Sequence, residues 1–203
     1  MYRPEKFAAD DDAAIAVIDD WPFAMLLTPH EGRVEVSHLP VIRIGDDLFG
    51  HLARANPQVA AMAGRESTLV FTGPHAYVSP HWYAEGAPSV PTWNYAAVHV
   101  RGIPRMLSDE ETFELLETMT ARFAPRPLPT LPEPVRRAKL GAIAGFSIPI
   151  EQMEAKFKMS QNRRAEDRAG VVAGLSASDQ AMDLAVADWM DSHLDCRTRR
   201  DAD

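Results

Sequence analysis

Residues 23–53 read FAMLLTPHEGRVEVSHLPVIRIGDDLFGHLA, and this stretch decides the fold. It contains three apolar runs, over 23–29, 34–44 and 48–53, separated by the turn signals HEGR and GDD. Apolar runs joined by such short polar turns are typical of antiparallel strands that pair with their neighbours in sequence. The stretch therefore predicts a three-stranded antiparallel meander.

The rest of the chain adds strands without a regular alternation of strands and helices. Further strands are predicted over 67–73, 95–107 and 142–150, the last with a continuation in EAKFKM after a bend, and Pro104 marks an edge or a bulge. Helices are predicted over 10–20, 56–64, 108–123, 135–141, 160–174 and 178–191. Ser108 and Glu111 form a capping box at the start of the helix over 108–123. This order predicts an α+β fold, a six-stranded antiparallel sheet or barrel with peripheral helices.

The composition is that of an ordinary globular protein. The chain has 203 residues, 46% of them hydrophobic and 25% charged, which is ordinary for a globular domain. No apolar run approaches the ~20 residues that span a bilayer, and the polar start MYRPEKF lacks the apolar core of a signal peptide. The single cysteine, Cys196, lies in a charged segment, so no disulfide framework is expected. We expect a cytoplasmic protein.

Charge argues against a broad nucleic-acid surface. The net charge is −8, whereas nucleic-acid-binding surfaces are usually basic. Two local basic segments remain: a cluster of Lys156, Lys158, Arg163, Arg164 and Arg168, and the run RTRR at 197–200. A solvated mixed-charge surface and a disordered tail are the alternative interpretations of these segments.

A first candidate site lies in HLARANPQ, residues 51–58. His51, Arg54 and Asn56 stand at the end of a strand and just before a helix, where free N–H groups favour anions. Arginine can add paired hydrogen bonds to a phosphate. In the alternative interpretation, Asn56 only caps the helix and Arg54 faces water.

A second candidate is GPHAYVSPHWYAEGAPSVPTWNY, residues 73–95, which is rich in aromatic residues and prolines. Its prolines argue against a regular helix or a central strand. The rings, including Trp82 and Trp93, could form a wall for a planar ligand or plug the end of a barrel. Polar groups interleaved with the rings, as in ligand pockets, are Ser79, His81, Thr92 and Asn94.

A third candidate is the polar segment KFKMSQNRRAEDRAG, residues 156–170. Ser160 could cap a helix whose first turn carries Gln161, Asn162 and Arg163 and faces a ligand or partner chain. Ordinary capping and surface ion pairs are the alternative. The histidines show no metal-ligand spacing and no HExxH pattern is present, so no metal site is expected.

Several segments together resemble the PaiB family, described as FMN-binding negative transcriptional regulators. The matching segments are MYRPEKF, HLARANPQ, GPHAYVSPHWY, VPTWNY, VHVRG and KFKMSQNRRAEDRAGVVAGL, which span about residues 1–175 in family order. Two departures are the loop AEGAPS, which is short and has no lysine, and the proline-rich segment 124–134, which has no tryptophan.

The resemblance implies an FMN-binding split β-barrel over residues 1–175. From the residues that follow, we expect 176–192 to be a helix packed on it and 193–203 to be a disordered tail. It also implies a homodimer with flavin at the interface. Arg54 and Asn56 would hold the FMN phosphate with help from His51. The residues expected around the flavin ring or the dimer seam are Ser79, Trp82, Thr92, Trp93 and Asn94, with Ser160, Gln161, Asn162 and Arg163 at the edge of the site.

Three functions remain open at this point. FMN could be the sensor or structural cofactor of a transcriptional regulator, in which case the two basic segments are the expected DNA surfaces. Alternatively, the protein is a flavin-dependent oxidoreductase, because a flavin supplies the redox chemistry without an acid–base pair from the protein. A haem-binding split barrel would need His51 or His81 as an axial ligand.

Overall fold

The computed structural model describes residues 1–86, 90–124, 126 and 132–200. Within these residues it contains nine strands and six α-helices. The strands are β1 Phe23–His30, β2 Arg33–Pro40, β3 Ile42–Ile44, β4 Asp47–Ala53, β5 Ser67–Val78, β6 Thr92–Gly102, β7 Arg105–Met106, β8 Ile143–Pro149 and β9 Gln152–Lys158. The α-helices are α1 Asp11–Asp20, α2 Pro57–Ala61, α3 Asp109–Phe123, α4 Glu133–Gly141, α5 Ala165–Ser176 and α6 Ala181–Arg200.

The strands form two sheets, in the orders β2-β1-β5-β6-β9 and β3-β4-β8-β7. Antiparallel pairing joins β1 to β2 and β5, β3 to β4, and β8 to β4 and β7. The α+β class and the antiparallel sheets predicted from the sequence are therefore confirmed. The chain divides into two compact units, residues 1–17, 72–98 and 154–203 (the first unit) and residues 18–71 and 99–153 (the second unit).

In the second unit, alternation along the strands builds the core. Ala24, Leu26 and Thr28 of β1 are buried, while the residues between them are more exposed. Helix α3 covers β8 closely, since a Cβ atom added at Gly145 would lie 2.6 Å from Thr112 Oγ1. The predicted capping box starts α3, with Ser108 Oγ accepting from Glu111 N and the Glu111 carboxylate accepting from Ser108 N.

In the first unit, α5 and α6 pack against each other and supply buried side chains. Val171 and Leu175 of α5 and Val186 and Met190 of α6 are buried. The indole of Trp189 meets the ring of Phe157 edge-on, with centroids 5.2 Å apart. Such aromatic pairs add about 0.5–1.5 kcal/mol beyond the area that they bury.

The strand count of six was wrong, because two long predicted strands are interrupted. The segment 34–44 splits into β2 and β3 at Val41, whose N–H donates to Pro22 O instead (2.8 Å). The segment 95–107 splits into β6 and β7 beside Pro104, which has no N–H for a ladder. The expected continuation of β8 is the separate strand β9.

Two other expectations were wrong. Residues 73–78 belong to β5, a strand with neighbours on both sides, despite Pro74. The proline is tolerated on the β1 side because the pairing with β1 involves only Thr68–Val70. Helix α5 begins at Ala165 and continues past Gly174 to Ser176, whereas Ser160, with φ 61°, lies before it in a left-handed conformation. Helix α6 spans Ala181–Arg200, where the sequence predicts a helix over 178–191.

Candidate functional site

Asn56 is the N-cap of α2, as the sequence predicts. Its Oδ1 accepts from Gln58 N at 2.9 Å, and its Nδ2 donates to Ser37 Oγ at 3.0 Å. Pro57 occupies the first helical position. Both ends of the Asn56 amide are thus engaged within the second unit, and α2 has only five residues, so its dipole is small. Asn56 therefore holds the backbone next to Arg54 through both ends of its amide.

Arg54 lies at the surface of the second unit with two partners. Its Nε donates to Gly141 O at 2.9 Å, and its Nη2 donates to Asp109 Oδ1 at 3.0 Å. The side chains of Arg54 and Asp109 are 50% and 79% exposed. Exposed ion pairs contribute only about 0–1 kcal/mol, so an incoming phosphate could displace the Asp109 carboxylate. Arg54 therefore remains able to bind an anion.

His51 lies in β4 opposite Gly145 of β8. Its Nδ1 is buried and has no hydrogen-bond partner among the described residues. Burial lowers the pKa of His51, so the imidazole is kept neutral. A buried polar atom without a partner is uncommon in proteins and is a place where a ligand group or a water can bind.

Asn94 is fully buried in the first unit, where it ties β6 to the segment before α5. Its Nδ2 donates to Ser160 Oγ at 3.0 Å and contacts Met190 Sδ at 3.3 Å, and Ser160 Oγ lies 3.2 Å from Asn94 Oδ1. Ser160 is also buried. Asn94 and Ser160 were both expected near the flavin, and the structure brings them together as a buried structural pair.

Trp82 packs on α5. A Cβ atom added at Gly174 would lie 2.4 Å from Cδ2 and Cε2 of the Trp82 indole, and one added at Gly170 would lie 1.9 Å from Trp82 O. Only glycine at these two positions allows this approach. The short 3-10 helix Pro80–Trp82 that carries the indole is capped by Ser79, whose Oγ accepts from His81 N at 3.3 Å.

The segment between β9 and α5 is held by its own side chains. Gln161 accepts from Met159 N at 2.7 Å and donates to Phe157 O, whereas Asn162 is exposed. The guanidinium of Arg163 lies 4.4 Å from the centroid of the Tyr83 ring. This arrangement is a cation–π contact.

Asp167 at the start of α5 fastens the segment that contains Trp82. It is buried, accepts from Ala84 N at 3.0 Å and pairs with Arg164 at 3.1 Å. The hydrogen bonds from Arg164 and from Ala84 N–H hold the pKa of Asp167 below its usual range, against the opposing effect of burial. The Arg164–Asp167 pair is one of the ion pairs that the alternative interpretation of this segment expects.

Thr92 and Trp93 lie at the start of β6, beside a lysine that the sequence did not single out as a site residue. Lys158 Nζ donates to Trp93 O at 2.9 Å and to Thr92 Oγ1. The Trp93 indole is 54% exposed and meets the rings of His75 and Tyr77, with centroids 6.4 and 6.2 Å away. Burial, then the nearby charges of Lys156 and Arg163, lower the pKa of Lys158.

Sequence reasoning missed Lys158, His75 and Tyr77 as members of one group. The signal was the alternation in β5 and β9, which puts His75 and Tyr77, and Lys156 and Lys158, on the less buried side of their strands. That signal was hidden because the prolines argued against a strand over 73–78. His51, Arg54 and Asn56 belong to the second unit.

Each unit, taken by itself, offers side chains that suit a planar or anionic ligand such as FMN. In the first unit, the exposed Trp93 indole offers a stacking surface, and Lys158 offers an ammonium N–H that neither Thr92 nor Trp93 uses. In the second unit, Arg54 offers a guanidinium held by exposed partners, and the buried Nδ1 of His51 has no partner among the described residues. FMN, when bound, supplies redox chemistry through its own ring system.

Neither a metal centre nor a membrane span is present in the part of the chain that the structure describes. No group of three or more His, Cys, Asp or Glu side chains there is placed to hold a metal ion. No helix within those ranges is long and apolar enough to span a membrane.

Comparison with known proteins identifies the family. Residues 1–152 match the family model described as "Putative FMN-binding domain". The chain is 33% identical over 205 residues to the protease synthase and sporulation protein PAI 2 of Bacillus subtilis, covering 96% of this chain and 98% of that protein. An uncharacterized protein of Emericella nidulans is 31% identical over 209 residues, covering 78% and 83% of the two chains.

Solved structures share the fold at low sequence identity. The FAD and heme binding protein of Mycobacterium smegmatis superimposes with a TM-score of 0.62 at 18% identity, over 76% of this chain and 74% of that chain. The flavocytochrome Anf3 of Azotobacter vinelandii gives 0.58 at 19% identity, over 73% and 67%. The chain belongs to the PaiB family, has the split-barrel fold of flavin-binding proteins, and carries an FMN-binding domain.

Proposed function

We propose that this chain is a negative transcriptional regulator of the PaiB type in which bound FMN is a sensor or a structural cofactor. The observation that carries the proposal is the similarity over 96% of the chain to a protein named for protease synthesis and sporulation. Further support comes from the closeness of Lys156, Lys158 and Arg163, whose mutual repulsion contributes to the lowered pKa of Lys158. A chain with net charge −8 thus carries a local cationic surface.

The test is binding to a DNA fragment that contains the promoter of the protein's own gene, measured at several salt concentrations with FMN-loaded and FMN-free protein. Removing one lysine that touches a phosphate should reduce the magnitude of the salt slope by about 0.9. Lys156→Gln should therefore lower the slope, while Lys139→Gln, which removes an exposed lysine of α4, should not. Weak binding that does not distinguish this promoter from unrelated DNA would contradict the regulatory role.

A flavin-dependent oxidoreductase is the second candidate. It is favoured by the exposed ring of Tyr77, which leaves an aromatic surface open to a second reactant. Because the flavin itself accepts and donates the electrons, the chain needs only to bind and orient the reactants. Anaerobic bleaching of the bound flavin by a reduced nicotinamide cofactor would support this candidate, and an unchanged flavin spectrum would argue against it.

A haem-binding function is favoured by one residue, His51. Its imidazole is kept neutral by burial, and its buried Nδ1 has no hydrogen-bond partner among the described residues. His81, the other expected ligand, is exposed. A Soret band that survives removal of FMN and disappears in His51→Ala would support haem binding. Protein without that band after incubation with haem would exclude it.

We also propose a homodimer that uses the outer face of β1 and β2. In this hairpin, Met25 lies opposite His38, Leu27 opposite Val36 and Pro29 opposite Val34. Val34 and Val36 are 53% and 50% exposed, and Phe23 on the same face is 65% exposed. Contiguous exposed apolar side chains are typical of interaction surfaces. A second copy is the expected occupant, because the resemblance implies a homodimer.

The oligomeric state tests this surface. Val36→Glu should convert the dimer to a monomer in sedimentation or light scattering, because a buried carboxylate in an apolar interface has no partner. Ile44→Glu, at another exposed apolar position, serves as the matched control and should leave the dimer intact. A monomeric wild-type protein, or a dimer that survives Val36→Glu, would contradict the proposal.

A further inference from the structure

One side of β5, β6 and β9 carries an unusual combination of side chains. It is formed by His75 and Tyr77 of β5, Trp93 and Tyr95 of β6, and Lys156 and Lys158 of β9, and we call it the aromatic–cationic face. Ring contacts join β5 to β6, and the ammonium of Lys156 lies 5.5 Å from the centroid of Tyr95. An ordinary solvated sheet face would carry mixed charges and few rings.

The rings of this face are arranged around an exposed indole. Tyr77 meets Trp93 edge-on, with the ring planes at 75°, while His75 is tilted by 33°. The indole remains 54% exposed and Tyr77 remains 46% exposed. Trp93 therefore presents ring surface that a planar ligand can cover, and offset or edge contacts with such a ligand are favourable.

Lys158 is fixed at the end of this face. Two of the three N–H groups of its ammonium are used by Trp93 O and Thr92 Oγ1, so the third can donate to a ligand. The nearby cations Lys156 and Arg163 make a ligand with acceptor oxygens or negative charge favourable. A planar ligand that stacks on Trp93 and presents acceptors at its edge satisfies both features.

We propose that the aromatic–cationic face binds the isoalloxazine ring of FMN, with Trp93 as its stacking partner and Lys158 as hydrogen-bond donor to the oxygen-bearing edge of the ring. The inference rests on the FMN-binding function and specifies where the ring binds. A cation at that edge favours the negatively charged reduced flavin, so Lys158 also raises the reduction potential of the bound flavin.

The test measures the affinities of FMN and of riboflavin, which has the ring without the phosphate, by quenching of flavin fluorescence. Lys158→Met should weaken the binding of both ligands by about tenfold, the effect of one charge-assisted hydrogen bond. Trp93→Leu should weaken both to a similar extent. The matched controls Lys139→Met and Phe123→Leu, which change an exposed lysine and an exposed ring of the second unit, should leave both affinities unchanged.

The possible outcomes distinguish a wrong position for the ring from a failure of FMN binding. Unchanged affinity for both ligands in Lys158→Met and Trp93→Leu would overturn the assignment while leaving FMN binding intact. Loss of FMN affinity with riboflavin affinity unchanged would place Lys158 at the phosphate and also overturn it. If the wild-type protein binds neither ligand, FMN binding itself fails.

A second test does not depend on whether Lys158→Met folds. Lys158→Arg keeps a cationic donor and should retain most of the affinity for riboflavin. In wild-type protein, riboflavin affinity should fall as the pH rises through the lowered pKa of Lys158, because the donating ammonium is lost. The arginine variant should remove that pH dependence, and a wild-type affinity independent of pH would overturn the role of Lys158. The reduction potential of bound FMN, measured in parallel, should fall in Lys158→Met.

Discussion

The packing of Trp82 on α5 predicts that adding one methyl group will destabilise the protein. In Gly170→Ala, the new Cβ atom would lie 1.9 Å from Trp82 O and 3.2 Å from the carbonyl carbon of Trp82. The near neighbour is backbone, which cannot rotate away as the end of a flexible side chain could. Either α5 or the segment around Trp82, which Asp167 fastens through Ala84 N, has to move.

The sign of the effect is decided by two opposing contributions. Replacing glycine by alanine inside a helix normally stabilises it by about 0.8–1 kcal/mol. Overpacking a tight contact costs about 1–3 kcal/mol, and a backbone neighbour favours the upper part of that range. We therefore expect Gly170→Ala to lower the free energy of unfolding by about 2 kcal/mol. For a chain of this length, the melting temperature should fall by roughly 4–8 °C.

Urea denaturation followed by circular dichroism, with and without FMN, measures this change. Gly141→Ala is the matched control, because it also adds a methyl group in a helix but its Cβ atom would meet nothing within 4 Å. The control should be as stable as wild type or slightly more stable. A Gly170→Ala variant that is no less stable than this control would refute the packing of Trp82 on α5.

Three further predictions concern Arg54, Asn94 and Asp167. If Arg54 binds the phosphate, Arg54→Ala should weaken FMN binding by about tenfold or more, since a hydrogen bond to a charged group contributes about 1.5–3 kcal/mol. Riboflavin binding should remain unchanged. An FMN affinity in titrations equal to that of the wild type would contradict this role. Asn94→Ala should destabilise the protein by about 1–3 kcal/mol in urea denaturation, because the buried hydroxyl of Ser160 loses its partner, and unchanged stability would contradict the structural role. Stability should also fall as the pH drops through the lowered pKa of Asp167, because the bonds from Arg164 and Ala84 favour the carboxylate, and Asp167→Asn should reduce this pH dependence in thermal melts.

The sequence was sufficient for the features that depend on local chemistry. The turn signals around Gly32 and Gly45 located the hairpin strands, and the cap at Asn56 and the capping box at Ser108 located two helix starts. These features are readable because the residue that ends or begins an element makes its bonds within a few positions. The α+β class followed from the order of the elements.

Long-range packing explains what the sequence could not predict. Asn94 and Ser160 are 66 positions apart, and nothing in either segment indicates that their side chains bond to each other. Pro74 argued against a strand. The sequence does not show that β5 pairs with β1 only at Thr68–Val70, which leaves the proline outside that pairing. Gly174 suggested the end of a helix, whereas it lies inside α5. The residue is glycine there because the Trp82 indole leaves no room for a side chain.

The central claim, that this PaiB-family chain binds FMN, is tested most directly by identifying the cofactor of the purified protein. The protein should be yellow, or should take up added FMN stoichiometrically with quenching of the flavin fluorescence, and mass spectrometry after denaturation should identify FMN. A colourless protein that does not take up added FMN would contradict the account.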